Sequence, residues 1–242
     1  MEKLYSFDNE SVSRLRSCTM RTRRSDHNDS CLGRRRGWYK SEADPNYILE
    51  CFPALHLKKG YILRAYQFSD GRGNGNGFVW AMPLAAPFPD YKDCPRLESH
   101  FLKPPKPPGA LDSIMEAVEG DGSPISYLCA SIFAREVKEF GAVWHGCSWG
   151  LVKIIESDPW SNEEKYFGSP SPKNRWKWSL PRPINWRPHV KVEGELITVT
   201  FYSYSGYFVQ SISVTTDTYK KNSYCFKTET ETVATGPSGY TL

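Results

Sequence analysis

The stretches "ELITVTFYSYS" (195–205), "GYFVQSISVTTDTY" (206–219) and "SYCFKTETETVAT" (223–235) follow one another near the C-terminus. Each is rich in Val, Ile, Thr, Tyr and Phe, which suit a pleated, half-buried surface. Gly206 and the run Lys220–Ser223 offer turns between them, so the region reads as a three-strand antiparallel meander. Working outward, "GYILRAYQF" (60–68) alternates with a period of two. The glycine-rich "SDGRGNGNG" (69–77) follows, then the apolar run "FVWAMP". That pattern reads as a hairpin over Gly60–Met82 with a long glycine loop. Between hairpin and meander, Ala130, Phe133, Val137, Phe140 and Trp144 recur at spacings of three and four, one face of a helix. Ser123 and Pro124 open it as N-cap and first-turn proline, and Gly141 closes it. Arg135, Glu136, Lys138 and Glu139 are assigned to its other side. The expected fold is α+β: a mostly antiparallel sheet, made of the N-terminal hairpin and the C-terminal meander, packed against one or two helices. A shorter helix is expected over Ala110–Gly120, and a strand broken at Pro53 over Tyr47–Leu57.

The rest of the chain punctuates that fold. Residues 1–37 show no periodicity and read as a basic, disordered tail; residues 38–242 read as one domain. Segment 83–108 holds 8 of the 18 prolines and reads as an internal linker or a strap over the core. A second strap, 168–192, is rich in Trp and Arg. The net charge of +4 resides in the tail, because the remainder carries 22 of the 31 bases and 22 of the 27 acids. Overall basicity therefore gives no reason for the folded part to bind nucleic acid. Seven cysteines without tight pairing read as reduced thiols of a cytoplasmic protein. No run of about 18 apolar residues is present to span a membrane, and scattered histidines define no metal site.

Four stretches carry candidate chemistry. The glycine loop fits neither common phosphate-binding spacing and reads as a hairpin tip. In "VWHGCSWG" (143–150), an extended chain would point His145 and Cys147 the same way, and a thiolate–imidazole pair would suit a Cys–His hydrolase. In "PKNRWKWSLPRPINWRPHVK" (172–191), Arg175, Lys177, Arg182 and Arg187 interleave with Trp176, Trp178 and Trp186. Bases neutralise phosphates and exposed indoles stack on unpaired nucleobases. The expected function is accordingly a cofactor-free binding protein that contacts nucleic acid, another polyanion or an acidic protein surface.

The rival is an enzyme. Arg64 in "YILRAY", Ser203 and Ser205 in "FYSYSG", and Glu229 and Glu231 in "ETETVATGPSGY" stand in the order of the motifs of the Arg–Ser–Glu class of ADP-ribosyltransferases, which this set resembles. Ser-Tyr-Ser stands where that family has Ser-Thr-Ser. The resemblance implies NAD as substrate. Arg64 would hold its pyrophosphate, the serine strand would shape the nicotinamide pocket, and Glu231 would stabilise the oxocarbenium-like charge as nicotinamide leaves.

Overall fold

The computed structural model describes residues 2–8, 12–19, 36–143, 147–160 and 172–240. The fold is α+β, and its sheets are mostly antiparallel. Contacts divide the chain into two compact units, Met1–Arg14 with Gly150–Leu242, and Leu15–Trp149. The hairpin and the meander therefore do not share a sheet as expected; each builds its own.

In the first unit, β10 (Leu196–Ser205), β11 (Val209–Lys220) and β12 (Phe226–Ser238) form the expected meander. β9 (His189–Glu193) extends it, and β1 (Glu2–Ser6) pairs with β9 at the edge. β7 (Val152–Ile155) also pairs with β10, and β8 (Lys177–Trp178) pairs with the far end of β12. Part of the expected tail is thus ordered: residues 2–6 are a strand and residues 12–19 a helix, α1. Tyr5 faces Val190 and Lys3 faces Val192 along that pairing. Ladder bonds to β9 satisfy backbone groups that a tail would leave in water.

The second unit is built on a three-stranded sheet in the order β2 (Gly37–Lys40), β4 (Tyr61–Ser69), β5 (Gly75–Pro83). Odd positions (Leu63, Ala65, Val79, Ala81) are buried on one face. On the other, Trp38, Tyr66 and Trp80 cluster with Phe68 and Phe78 beneath the proline-rich segment. Segment 83–108 is a strap, not a linker. Its carbonyls accept from the aromatic heads below: Trp38 Nε1 donates to Leu102 O at 3.2 Å, Tyr66 Oη to Pro89 O at 2.7 Å and Trp80 Nε1 to Pro105 O at 2.9 Å. Proline suits this job because it holds the chain extended without needing ladder partners.

The helix expected after Ser123 is α3, Pro124–Lys138, with proline in its first turn. Ser123 does not cap it by side chain, because its Oγ donates to Asp121 Oδ1 instead. The Ala110–Gly120 helix is replaced by a single turn, Ile114–Ala117, with a Ser113–Glu116 capping box, followed by β6 (Val118–Gly120). Tyr47–Leu57 holds α2 (Asn46–Glu50) and β3 (Leu55–Leu57), which pairs with β6. Ala130, Phe133, Val137 and Phe140 are buried as the spacing predicts, and Phe133 meets Phe52 edge-on at 5.6 Å. Trp144 lies outside the described residues.

The charged side of α3 departs from expectation. Lys138 is exposed, but Glu136 and Glu139 are buried. Glu136 accepts from Arg16 Nε (3.1 Å), Thr19 Oγ1 (2.8 Å) and Trp149 Nε1 (2.7 Å), while the Arg16 guanidinium lies 4.4 Å from the Trp149 ring centre. Glu139 receives Ser148 and Trp149 backbone N–H groups. Cys18 of α1 is disulfide-bonded to Cys51 after α2, which corrects the expectation that every thiol is reduced. The sequence separation of 33 gave no motif to read. Among the described residues no helix is long and apolar enough to cross a membrane.

Candidate functional site

Two of the three tryptophans of the Trp/Arg strap do not present the rings that stacking requires, and the third, Trp178, is half-buried. Trp176 is 7% exposed and Trp186 5%. They join Ile155, Tyr204, Ile212, Val233 and Ala234 in one apolar cluster, with Trp160, Trp178, Leu180 and Tyr202 packed against it. Trp186 lies 5.3 Å from the Tyr202 ring, and Trp160 contacts Trp176 at 5.3 Å and Trp178 at 5.8 Å. The cause is the sheet face. Tyr204, Ile212 and Ala234 stand in register across β10, β11 and β12, and such an apolar row must be covered. Burial also pushes the Tyr204 hydroxyl up to about 12.

The strap's cations divide into two groups. Arg182 is engaged: it pairs with Asp158 and lies 5.7 Å from the Trp160 ring and 5.8 Å from the Trp178 ring. Lys191 is held by Glu2 (3.3 Å) and Glu193 (2.8 Å). Lys173, Arg175, Lys177 and Arg187 are exposed, and among the described residues no carboxylate pairs with them. Lys173, Arg175 and Lys177 sit close together because one turn (Lys173–Arg175) leads into β8. Trp176 turns inward between Arg175 and Lys177 and pins the backbone that carries both.

Within their own sheet, the serines and the glutamates of the enzyme-like set are not brought onto one face. Arg64 is an exposed residue of β4, in the Leu15–Trp149 unit, whereas the serines and glutamates belong to β10 and β12 of the other. Within that sheet, Ser203 stands in register with Ser213 and Thr232, and Ser205 with Ser211 and Thr235. Glu231 stands with Val214 and Tyr202, and Glu229 with Thr216 and Thr200. Neighbouring strand positions face opposite ways, so the two serines and the two glutamates project from opposite faces. Both glutamates are exposed, while Ser203 is 9% exposed. "KTETETV" is an alternating edge surface, with Thr228 and Thr230 bonded across to Asp217 and Thr215.

The Cys–His reading is only half visible. His145 lies outside the described residues, and the Cys147 thiol donates to Ala142 O at 3.5 Å. In the glycine loop, the Asp70 carboxylate accepts from Arg72 N, Asn74 N and Asn74 Nδ2 at 2.6, 3.0 and 2.7 Å. Those bonds hold its carboxyl below the usual range, and they consume the loop amides that a phosphate would need. Among the described residues no group of three or more His, Cys, Asp or Glu is placed to hold a metal ion. What the sequence does not signal is a cavity along β5, walled in part by Asn76, Val79 and Ala134. An edge strand and a helix face meet there, and no motif marks such a meeting.

The chain matches no family model, no curated protein and no solved structure.

Proposed function

We propose that this is a non-catalytic binding protein that contacts a nucleic-acid backbone by charge alone. The observation that carries the reading is the set of exposed cations Lys173, Arg175, Lys177 and Arg187, which no carboxylate among the described residues pairs, in a strap that Trp176 and Trp186 anchor to the sheet. Burial of Trp176 and Trp186 removes base stacking by those rings, so the affinity is electrostatic and insensitive to base identity. Anchoring lowers the entropic cost of binding, because the backbone bearing the charges is already ordered. The test is fluorescence anisotropy at low salt with a labelled oligothymidylate and an abasic strand of equal length. The two should bind alike, and Arg175→Gln/Lys177→Gln/Arg187→Gln should bind both at least tenfold more weakly. No binding to the wild type, or equal binding by the triple variant, contradicts the proposal. Binding of an acidic peptide but not the strands assigns the surface to a protein partner instead.

A further inference from the structure

β5 is an edge strand: among the described residues its one strand neighbour is β4, and on its other side Gly75 makes an isolated bridge to Val143. Its outward backbone groups can be located residue by residue. Ala65 O accepts from Ser41 N on the β2 side, so odd positions of β4 face away from β5. Their register partners on β5 (Gly77 to Gln67, Val79 to Ala65, Ala81 to Leu63) therefore face its free edge. Two of these are satisfied there: Gly77 N donates to Phe140 O at 2.8 Å, and Ala81 O accepts from Leu111 N at 2.9 Å. Val79 lies between them and is 4% exposed. Among the described residues nothing bonds its outward N–H and C=O. Beside it is a cavity of about 370 Å³. Leu111, Met115, Ala134 and Val137 supply much of its apolar wall, and Asn76 lines it with a buried Oδ1 that lacks a partner. Buried backbone and amide groups are rarely left unpaired, so three of them in one cavity point to an occupant.

We infer that this cavity binds a small, uncharged, planar molecule with a lactam (cis-amide) edge and a further hydrogen-bond donor. In an extended strand the N–H and C=O of one residue point the same way, and a lactam offers the matching acceptor and donor side by side. The gap from Gly77 to Ala81 is about 13 Å at strand rise, closed at both ends by existing bonds. It thus admits one donor–acceptor pair rather than a peptide strand. Asn76 lies three residues along, about 10 Å away, and requires a donor at the ligand's far end. Apolar walls disfavour a charged ligand. The two charges at the rim do not change this: Asp112 is already paired with Lys106, and Lys138 is exposed. The volume lies within the range of small-molecule sites.

The test uses the full chain, ¹⁵N-labelled, titrated with 7-hydroxy-2-quinolone and with its N-methylated analogue, which keeps the shape and loses the lactam donor. The first should shift the Val79 amide resonance, and the second should bind at least tenfold more weakly. Asn76→Ala, a change at a half-buried position, should weaken the first ligand while leaving the remaining amide spectrum in place. If both compounds bind equally, or neither moves Val79 up to its solubility limit, the cavity holds water and the inference is wrong. The strap triple variant should bind the quinolone like the wild type, which keeps this result separate from that of the strap.

Discussion

Removing the indole of Trp186 would open a hole against Tyr202 in the core of the sheet, not a gap on its surface. Trp186→Ala is expected to cost about 3–5 kcal/mol, read as a lowered denaturation midpoint; a loss of oligonucleotide affinity at unchanged stability would contradict the packing. Titratable side chains give a second expectation. Burial pushes the Cys129 thiol up from 9.0 to about 12, and burial likewise raises Tyr204 from 10.0 to about 12. In both cases the unfolded chain loses its proton first. Below about pH 9 these groups leave stability flat; from there to about pH 12 the unfolded state binds fewer protons and stability falls as pH rises. Urea titrations between pH 7 and pH 11 check this, and a midpoint that rises over that interval would refute it. At this scale the sequence was legible for strand and helix positions with a period, such as Leu63 or Phe133. It was not legible for Trp176 and Trp186. A proline-broken strap has no period, so the same letters serve for rings turned in or out.

Elements show where local patterning stops informing. The apolar stripe of α3 predicts its buried face correctly, because helical spacing alone fixes that side. Glu136 and Glu139 read as solvent-facing by the same rule, yet α1 and the Ser148–Trp149 turn cover them with donors from residues distant or nearby in sequence. The Arg16–Glu136 pair has side chains 11% and 1% exposed. A buried pair broken on one side leaves an uncompensated charge, so Arg16→Ala should cost about 3–5 kcal/mol. Replacing both, as Arg16→Met with Glu136→Leu, should recover much of that loss, because desolvation of both charges is then avoided. Chemical denaturation of the two single variants and the double variant reads out the cycle; additive losses would mean that the pair is not coupled. The meander and the hairpin with its glycine-rich tip were legible, since turns and alternation are local. That hairpin and meander enter different sheets was not, because a period of two does not say which strand is the neighbour.

At the scale of the molecule, two compact units divide the chain, and the two proposed activities divide with them: exposed charge on the strap of one, a cavity at the sheet edge of the other. Neither was fully written in the sequence. Composition located the Trp/Arg-rich strap 168–192 but not which of its cations are already paired, since Asp158, Glu2 and Glu193 arrive from other elements. The cavity depends on the register of β4 with β5, which no spacing of letters reveals. For the charge reading, the direct measurement is the salt dependence of binding to single-stranded DNA. Each phosphate neutralised contributes a slope of about −0.7 in log affinity against log salt. Three or four contacts therefore predict a slope of about −2 to −3 for the wild type, falling toward zero in Arg175→Gln/Lys177→Gln/Arg187→Gln. A wild-type affinity that does not change with salt, or a triple variant with the wild-type slope, would contradict the account.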